Sequence, residues 1–240
     1  MQTSQTIMWT VKGKILHFAE FKTKITELTE KSRADKGTKI SWWAHTPNCK
    51  GYCNIESFES SEAALAYLKD WVKNCDELAK SATMEKIAIF GNPSDELKAA
   101  LSTLEPKYLE FFGGFTKDIP ENKPSDTSDI IWMLKGEIED IAKFHHSMEV
   151  LTEKTAKESG SLTHFWTVSS DSHYFSVVER YADKDAAIEH LATWREYGGL
   201  FLNAIKLKSF TTFSHLVPEL DASLSGLNPK KLTFMAGFAR

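Results

Sequence analysis

An internal repeat is the feature that most constrains how this chain can fold. Shifting the sequence by 123 residues aligns its two halves without a gap. Ile7–Ile15, IMWTVKGKI, matches Ile130–Ile138, IIWMLKGEI, and Glu96–Phe115 matches Glu219–Phe238 with the same leucine spacing and the same Gly-Phe end. Because repeated units of this length fold alike, we expect two copies of one structure, over residues 1–115 and 130–240.

The segment between the copies, residues 116–129, reads TKDIPENKPSDTSD. It contains two prolines, several charges and hardly any apolar side chains. This composition is typical of an exposed linker, so we place the domain boundary there.

Hydrophobic periodicity predicts the same elements in each copy: strand, helix, strand, strand, helix, strand, helix, strand. The buried stripe of the first helix is expected at Phe18, Phe21, Ile25 and Leu28, and again at Ile141, Phe144, Met148 and Leu151. Gly37 and Gly160 are expected to end these helices in a left-handed conformation. Ser60 and Asp183 are the predicted N-caps of the second helices.

This order of elements predicts an α+β fold for each copy, in which helices cover one face of an antiparallel sheet. The other face is rich in aromatic residues, and its exposure to water would cost about 25 cal/mol per Å² of apolar area. We expect the two copies to pair through these faces. Because fusion of the copies satisfies that interface internally, a monomer or a weak oligomer is predicted.

Composition excludes several classes of partner. The formal net charge of -4 comes from 29 basic and 33 acidic residues without a basic stripe, so we expect no nucleic-acid partner. The first residues, MQTSQTIMWT, lack the pattern of a secretory signal, and no apolar run of about 18 residues would span a membrane. Three cysteines, an odd number, favour reduced thiols. A soluble, cytoplasmic protein is expected.

One segment of the second copy resembles a known family. Val178–Trp194, VERYADKDAAIEHLATW, is similar to the strand-to-helix segment of the antibiotic-biosynthesis-monooxygenase family, with Glu179, Tyr181 and His190 in the family pattern. The first copy has Glu56 and Phe58, but Tyr67 stands where the histidine would be. The resemblance implies tandem ferredoxin-like repeats that form an intramolecular dimeric α+β barrel.

The resemblance also implies a range of activities. Its members include cofactor-free monooxygenases that oxidise polycyclic phenols or quinols, enzymes that degrade haem or small signals, and proteins with no assigned reaction. Our leading hypothesis is a cofactor-independent, monooxygenase-like protein acting on a small aromatic or quinol-type compound. A non-catalytic small-ligand-binding or scaffold protein, and an isomerase or lyase, remain alternatives, because a fold alone does not decide function.

Cofactor-free oxygenation needs a base, hydrogen-bond donors and aromatic walls. We expect His190 to serve as base or anion-stabilising donor, with His164 as the second catalytic candidate. The predicted substrate-binding residues are Trp166 and Trp194, together with Trp43, Tyr67 and Trp71 of the first copy, although core packing explains the tryptophans as well. Glu56 and Glu179 are interpreted as structural carboxylates, paired with Arg180 or a lysine.

Other chemistries have weaker support. His45, Cys49 and Cys53 form an H-x3-C-x3-C cluster, but a structural zinc site needs four convergent ligands, and the equivalent residues of the second copy are Val168, Ser172 and Ser176. We expect neither a metal nor another cofactor. The chain also lacks a glycine-rich phosphate loop, a GxSxG elbow and an HExxH motif.

Overall fold

The computed structural model of the protein describes residues 4–117, 128–214 and 217–240. The first repeat forms these elements in chain order: β1 Ile7–Ile15, α1 Phe18–Arg33, β2 Thr38–His45, β3 Gly51–Phe58, α2 Ser61–Val72, α3 Cys75–Ala79, β4 Ala82–Phe90, α4 Asp95–Leu101 and β5 Lys107–Thr116.

The second repeat follows the same order: β6 Ile130–Ile138, α5 Ile141–Ala156, β7 Ser161–Val168, β8 Tyr174–Tyr181, α6 Lys184–Leu202, β9 Ile205–Ser214, α7 Pro218–Leu224 and β10 Lys230–Ala239. The predicted sequence of elements is confirmed, and the first repeat has one additional short helix, α3.

The described residues form two compact units that differ from the sequence repeats at their last strands. The N-terminal unit comprises residues 4–108 and 232–240, and the C-terminal unit comprises 109–117, 128–214 and 217–231. The antiparallel strand order is β4-β1-β3-β2-β10 in the N-terminal unit. It is β9-β6-β8-β7-β5 in the C-terminal unit.

The compact units therefore do not follow the repeat boundary at residue 115, because the final strand of each repeat hydrogen-bonds in the sheet of the other. Strand β5 pairs with β7, and β10 pairs with β2. Each exchange covers a sheet edge that would otherwise expose unpaired backbone groups. Gly114, with φ +110°, lies on β5 where a Cβ would be 1.8 Å from the carbonyl oxygen of His164, so β5 can approach β7 closely.

Most of the predicted linker, residues 118–127, lies outside the described residues. At its described ends, Thr116 is exposed but belongs to a strand, and the exposed-linker expectation is wrong at Asp129. Thr116 ends β5, and Asp129 is buried, where its Oδ2 accepts a bond of 2.6 Å from Nε of Arg180.

Gly37 and Gly160 do not end the first helices in a left-handed conformation, as the sequence had suggested. Helix α1 ends at Arg33 and α5 ends at Ala156, and of the glycines in the described ranges Gly91 and Gly114 have a positive φ. Gly160 instead allows close packing, since a Cβ there would be 2.3 Å from Cβ of Ala186. The predicted N-caps are confirmed: Ser60 accepts from the amide of Ala63 and Asp183 accepts from that of Ala186.

The second helices of the two repeats differ in length. Helix α6 runs unbroken for 19 residues, whereas α2 stops after 12 and α3 follows. The side-chain amide of Asn74 donates to the carbonyl of Asp70 at 2.9 Å, and its backbone N–H turns to the carbonyl of Trp71. Asn74 thus competes for the helical hydrogen bond and interrupts the helix.

Each unit has its own hydrophobic core between sheet and helices. Most of the predicted stripe of the first helices is buried, but Ile141 is 45% exposed at the start of α5. No helix in the described part of the chain is both long and apolar enough to cross a bilayer.

Candidate functional site

Glu179 lies at the centre of a buried polar cluster in the C-terminal unit. The register of three neighbouring strands places it directly between Trp132 on β6 and His164 on β7. Its Oε2 accepts a hydrogen bond of 2.8 Å from the hydroxyl of Tyr181. Its Oε1 lies 3.3 Å from Nε2 of His164 and 4.0 Å from Nε2 of His190, which α6 contributes. The structure therefore brings both predicted histidines to one carboxylate.

The expected pairing of Glu179 with Arg180 is wrong. Adjacent residues of a strand point to opposite faces of a sheet, and Arg180 pairs with Asp129 instead. Glu179 is 1% exposed and faces the helices, where its charge meets imidazole rings rather than a guanidinium or a lysine.

A second carboxylate, Glu158, orients His190 and was missed in the sequence. Its Oε2 lies 3.0 Å from Nδ1 of His190, and it also accepts hydrogen bonds from the hydroxyls of Thr193 and Ser161. The bond to a carboxylate favours the proton on Nδ1 and leaves Nε2 directed toward Glu179. The available signal was the first repeat, which carries another acid, Asp35, at the same position.

Burial and charge set the protonation of the cluster. Burial lowers the pKa of His164, although Glu179 opposes this shift, so its ring is neutral at neutral pH. Burial by itself would raise the pKa of Glu179, but the contact with His164, the charge of His190 and the bond from Tyr181 together bring it below its usual range. Glu158 behaves in the same way through His190, Ser161 and Thr193. Both carboxyl groups are therefore ionised at neutral pH.

Several polar atoms of this cluster have unused hydrogen-bonding capacity. Within the described residues, these buried atoms lack a hydrogen-bond partner: both ring nitrogens of His164, Nε2 of His190, Oε1 of Glu179 and the indole nitrogens of Trp132 and Trp166. Leaving such groups unpaired typically costs about 1–3 kcal/mol each. Their concentration in one place is typical of a site that receives a polar ligand or water.

A cavity of about 50 Å³ adjoins the cluster. Glu179, Trp132 and Trp194 line it together with leucines and Phe210. His164 and His190 contact Glu179 but are not among the lining residues. Trp166 is fully buried against Phe144, Phe201 and His164. The structure thus places Trp194 at the cavity and Trp166 in the core beside it.

The N-terminal unit has a different version of the same site. Glu56 accepts hydrogen bonds from the indole N–H of Trp9 and, at 2.5 Å, from the hydroxyl of Tyr67, and Ser41 is its register partner where the other unit has His164. Burial raises the pKa of Glu56 to about 7, and these hydrogen bonds only partly oppose the shift. Without an imidazole beside it, this carboxyl is partly protonated at neutral pH.

Two cavities lined by the equivalent helix of the N-terminal unit are larger than the cavity beside Glu179. Tyr67 and Trp71 line a groove of about 540 Å³ between α1 and α2. Trp71 also lines a cleft of about 340 Å³, and both residues line a void of about 20 Å³ beside Glu56. Trp43 is 1% exposed and packs on Phe21 and Tyr52. Two of the three predicted binding residues of this repeat therefore reach open space, and Trp43 is a packing residue.

The candidate metal ligands His45, Cys49 and Cys53 do not converge on one point. Sγ of Cys49 lies 3.6 Å from Nδ1 of His45, while Cys53 is buried and donates to the carbonyl of Asn54. Within residues 4–117, 128–214 and 217–240, no group of three or more His, Cys, Asp or Glu side chains has an arrangement that could hold a metal ion.

Comparison with known proteins shows the fold. No family model matches the chain, and neither does any curated protein. Among solved structures, a candidate monooxygenase from Lactobacillus acidophilus NCFM aligns with a TM-score of 0.60 at 17% identity, covering 98% of this chain and 99% of that one. A candidate monooxygenase from Fusobacterium nucleatum subsp. nucleatum aligns with a TM-score of 0.64 at 12% identity, covering 100% and 96%.

A candidate chlorite dismutase aligns with a TM-score of 0.50 at 12% identity over 93% of this chain and 99% of that one. These identities are low, but the matches extend over nearly the full length of both chains. Together with the strand order in each unit, they confirm the fold class expected from Val178–Trp194. The chain has a ferredoxin-like α+β fold, which it shares with candidate monooxygenases.

Proposed function

We propose that the chain is a cofactor-independent, monooxygenase-like enzyme acting on a small aromatic or quinol-type compound in the C-terminal unit. One observation carries the proposal: Glu179 lines an apolar, aromatic-walled cavity, and its Oε1 lies 3.3 Å and 4.0 Å from the Nε2 atoms of His164 and His190. Carboxylate and imidazole groups close enough to share a proton form an acid–base unit. Its fold neighbours include candidate monooxygenases, which is consistent with this chemistry.

In the proposed reaction, an acidic O–H or C–H of the substrate donates its proton to the cluster at Oε1 of Glu179. His190 and His164 take up the positive charge, and Glu158 stabilises the imidazolium of His190. The resulting substrate anion is electron-rich and transfers electrons to dioxygen. When an activated methylene becomes a carbonyl, one oxygen atom stays in the product and the other leaves as water, so the substrate supplies every electron and no outside reductant is consumed.

The size of the cavity limits how the substrate can bind. About 50 Å³ accommodates dioxygen or one polar edge of a molecule, whereas pockets for whole drug-sized ligands occupy roughly 300–1,000 Å³. Leu202 and Leu227 line the cavity and are 46% and 48% exposed. We propose that an aromatic ring enters by displacing these two side chains at the surface.

The test is oxygen uptake by the purified, metal-free protein against a panel of anthrones, quinols and catechols. His190→Tyr, which introduces the first repeat's residue, should lower the rate about 100-fold or more, since general acid–base catalysis contributes about 10²–10⁴-fold. His146→Ala, a change of an exposed histidine on α5, is the matched control and should retain the rate. Turnover that is independent of oxygen would favour the isomerase or lyase alternative.

A non-catalytic small-ligand-binding protein is the second candidate. It is favoured by the N-terminal unit, where Tyr67 and Ser41 replace both histidines and two cavities are larger than the one beside Glu179. Equal oxygen uptake by the wild-type protein and His190→Tyr would remove the proposed catalytic site, and no uptake by the wild-type protein across the panel would favour this alternative.

A further inference from the structure

The N-terminal unit contains a cleft whose counterpart in the other unit is filled. The cleft of about 340 Å³ lies among α2, α3, β4 and α4. Leu78 and Ala79 line it, whereas the second repeat has Phe201 and Leu202 at these positions. Phe201 packs on Trp166 and Trp194, and Leu202 lines the 50 Å³ cavity. Smaller side chains and the break between α2 and α3 therefore leave space for a ligand.

The cleft is apolar and shares lining residues with a small void beside Glu56. Leu68, Trp71, Met84 and Leu104 line both the cleft and the void of about 20 Å³ beside Glu56. A void of this size holds one water-sized oxygen atom. The buried indole nitrogen of Trp71, a residue that lines both spaces, has no hydrogen-bond partner among the described residues.

Glu56 retains capacity for another hydrogen bond. Each of its oxygens accepts one bond, from Trp9 and from Tyr67. The side chains of Asn54 and Ser41 also favour its charged form, but the Asn54 amide nitrogen and the Ser41 hydroxyl make no hydrogen bond to any described residue, and a carboxylate can accept about four. An oxygen atom in the void would thus meet a carboxyl group on one side and apolar side chains on the others. A group that can both donate and accept suits a carboxyl that is partly protonated near neutral pH.

We propose that the N-terminal unit is a binding site for a small phenol, with the aromatic ring in the cleft beside Trp71 and the phenolic oxygen in the void against Glu56. The volume of the cleft suits a one- or two-ring compound, and its apolar walls disfavour a charged ligand. This site is separate from the catalytic cluster proposed around Glu179 and does not depend on it.

The reactivity of Cys75 can report whether a ligand occupies the cleft. Cys75 lines it and is partly exposed, and Cys49, also partly exposed, lies outside it. With 1-naphthol as the probe, alkylation of Cys75 by iodoacetamide should slow at least fivefold, while Cys49 reacts at an unchanged rate. Peptide mass spectrometry measures both rates in the same sample. Unchanged alkylation of Cys75 at saturating 1-naphthol would overturn the proposal.

Titration calorimetry with the full chain provides the second test. Ala79→Leu, which introduces the second repeat's residue at an exposed helix position, should weaken 1-naphthol binding at least tenfold. Ala99→Leu, an equal change on the exposed face of α4, should bind like the wild-type protein.

The probe 1-methoxynaphthalene, which has no hydroxyl to donate and does not fit the void, should bind at least tenfold more weakly than 1-naphthol. Equal binding by Ala79→Leu, or equal binding of the two probes, would contradict the assignment.

Discussion

Nδ1 of His190 lies 3.0 Å from Oε2 of Glu158. The first repeat keeps an acid at the matching position, Asp35, but there the carboxylate bonds the backbone N–H of Gly37 and the hydroxyl of Thr38. In the first repeat this acid holds the loop after α1, whereas in the second repeat it orients His190. The two repeats share a fold but differ in what this acid contacts.

Glu158→Gln tests whether this contact matters for turnover. Glutamine keeps the shape but loses the charge that stabilises the imidazolium of His190, so we expect a rate at least tenfold lower and a shifted pH profile. Asp35→Asn is the matched control and should retain the rate. A wild-type rate and pH profile for Glu158→Gln, measured as oxygen uptake, would show that Glu158 does not position the base.

The two buried strand carboxyls should give opposite dependences of stability on pH. The pKa of Glu56 is raised to about 7 by burial, so the folded state holds a proton that the unfolded state releases near pH 4.5. Stability is lost as pH rises from about 4.5 to 7, by about 3 kcal/mol in total. Glu56→Gln should therefore gain thermal stability relative to the wild-type protein between pH 5 and pH 8.

For Glu179 the dependence of stability on pH has the opposite sign, because its folded-state pKa is lowered. Its contribution is present above the unfolded-state pKa and is lost as pH falls through the folded-state pKa. The destabilisation by Glu179→Gln should thus be largest near neutral pH and shrink in acid. Melting-temperature differences that do not change with pH for either variant would contradict these assignments.

The packing role of Gly160 can be measured directly. A Cβ there would be 2.3 Å from Cβ of Ala186, so Gly160→Ala should lower the free energy of unfolding by about 1–3 kcal/mol. Gly199 lies in α6 with nothing within 4 Å of an added Cβ, and Gly199→Ala should raise stability by about 0.5–1 kcal/mol. Urea denaturation of both variants is the measurement, and equal effects would argue against the close contact.

Assembly state also remains a prediction. Two copies in one chain can satisfy their interface internally, so light scattering at micromolar concentration should give the mass of a monomer, 27.1 kDa. A tight dimer at that concentration would contradict the expectation.

The repeat made much of the fold predictable, because each element was observed twice in the sequence. The N-caps at Ser60 and Asp183 followed from local chemistry and are confirmed. The exchange of β5 and β10 could not be predicted, since the two repeats offer similar strand edges and periodicity does not choose between them. The conformations of Gly37 and Gly160 were misjudged because a contact with α2 or α6, rather than a helix end, requires glycine.

The site was predictable in part. His164, His190 and Glu179 occur in a recognisable segment and its neighbouring strand, but Glu179 was interpreted as a structural partner of Arg180. Glu158 is 32 residues from His190 in sequence, and tertiary packing alone brings the two side chains together. Cavity size depends on residues such as Phe201 and Leu202, whose effect appears once the helices are in place.

The most direct test of the central claim is product analysis after reaction under ¹⁸O₂ with a substrate identified in the oxygen-uptake panel. The account predicts one labelled oxygen atom in the organic product, the other in water, and loss of labelled product with His190→Tyr. An unlabelled product, release of the labelled oxygen as hydrogen peroxide, or full labelling by His190→Tyr would contradict monooxygenase chemistry at the Glu179 cluster.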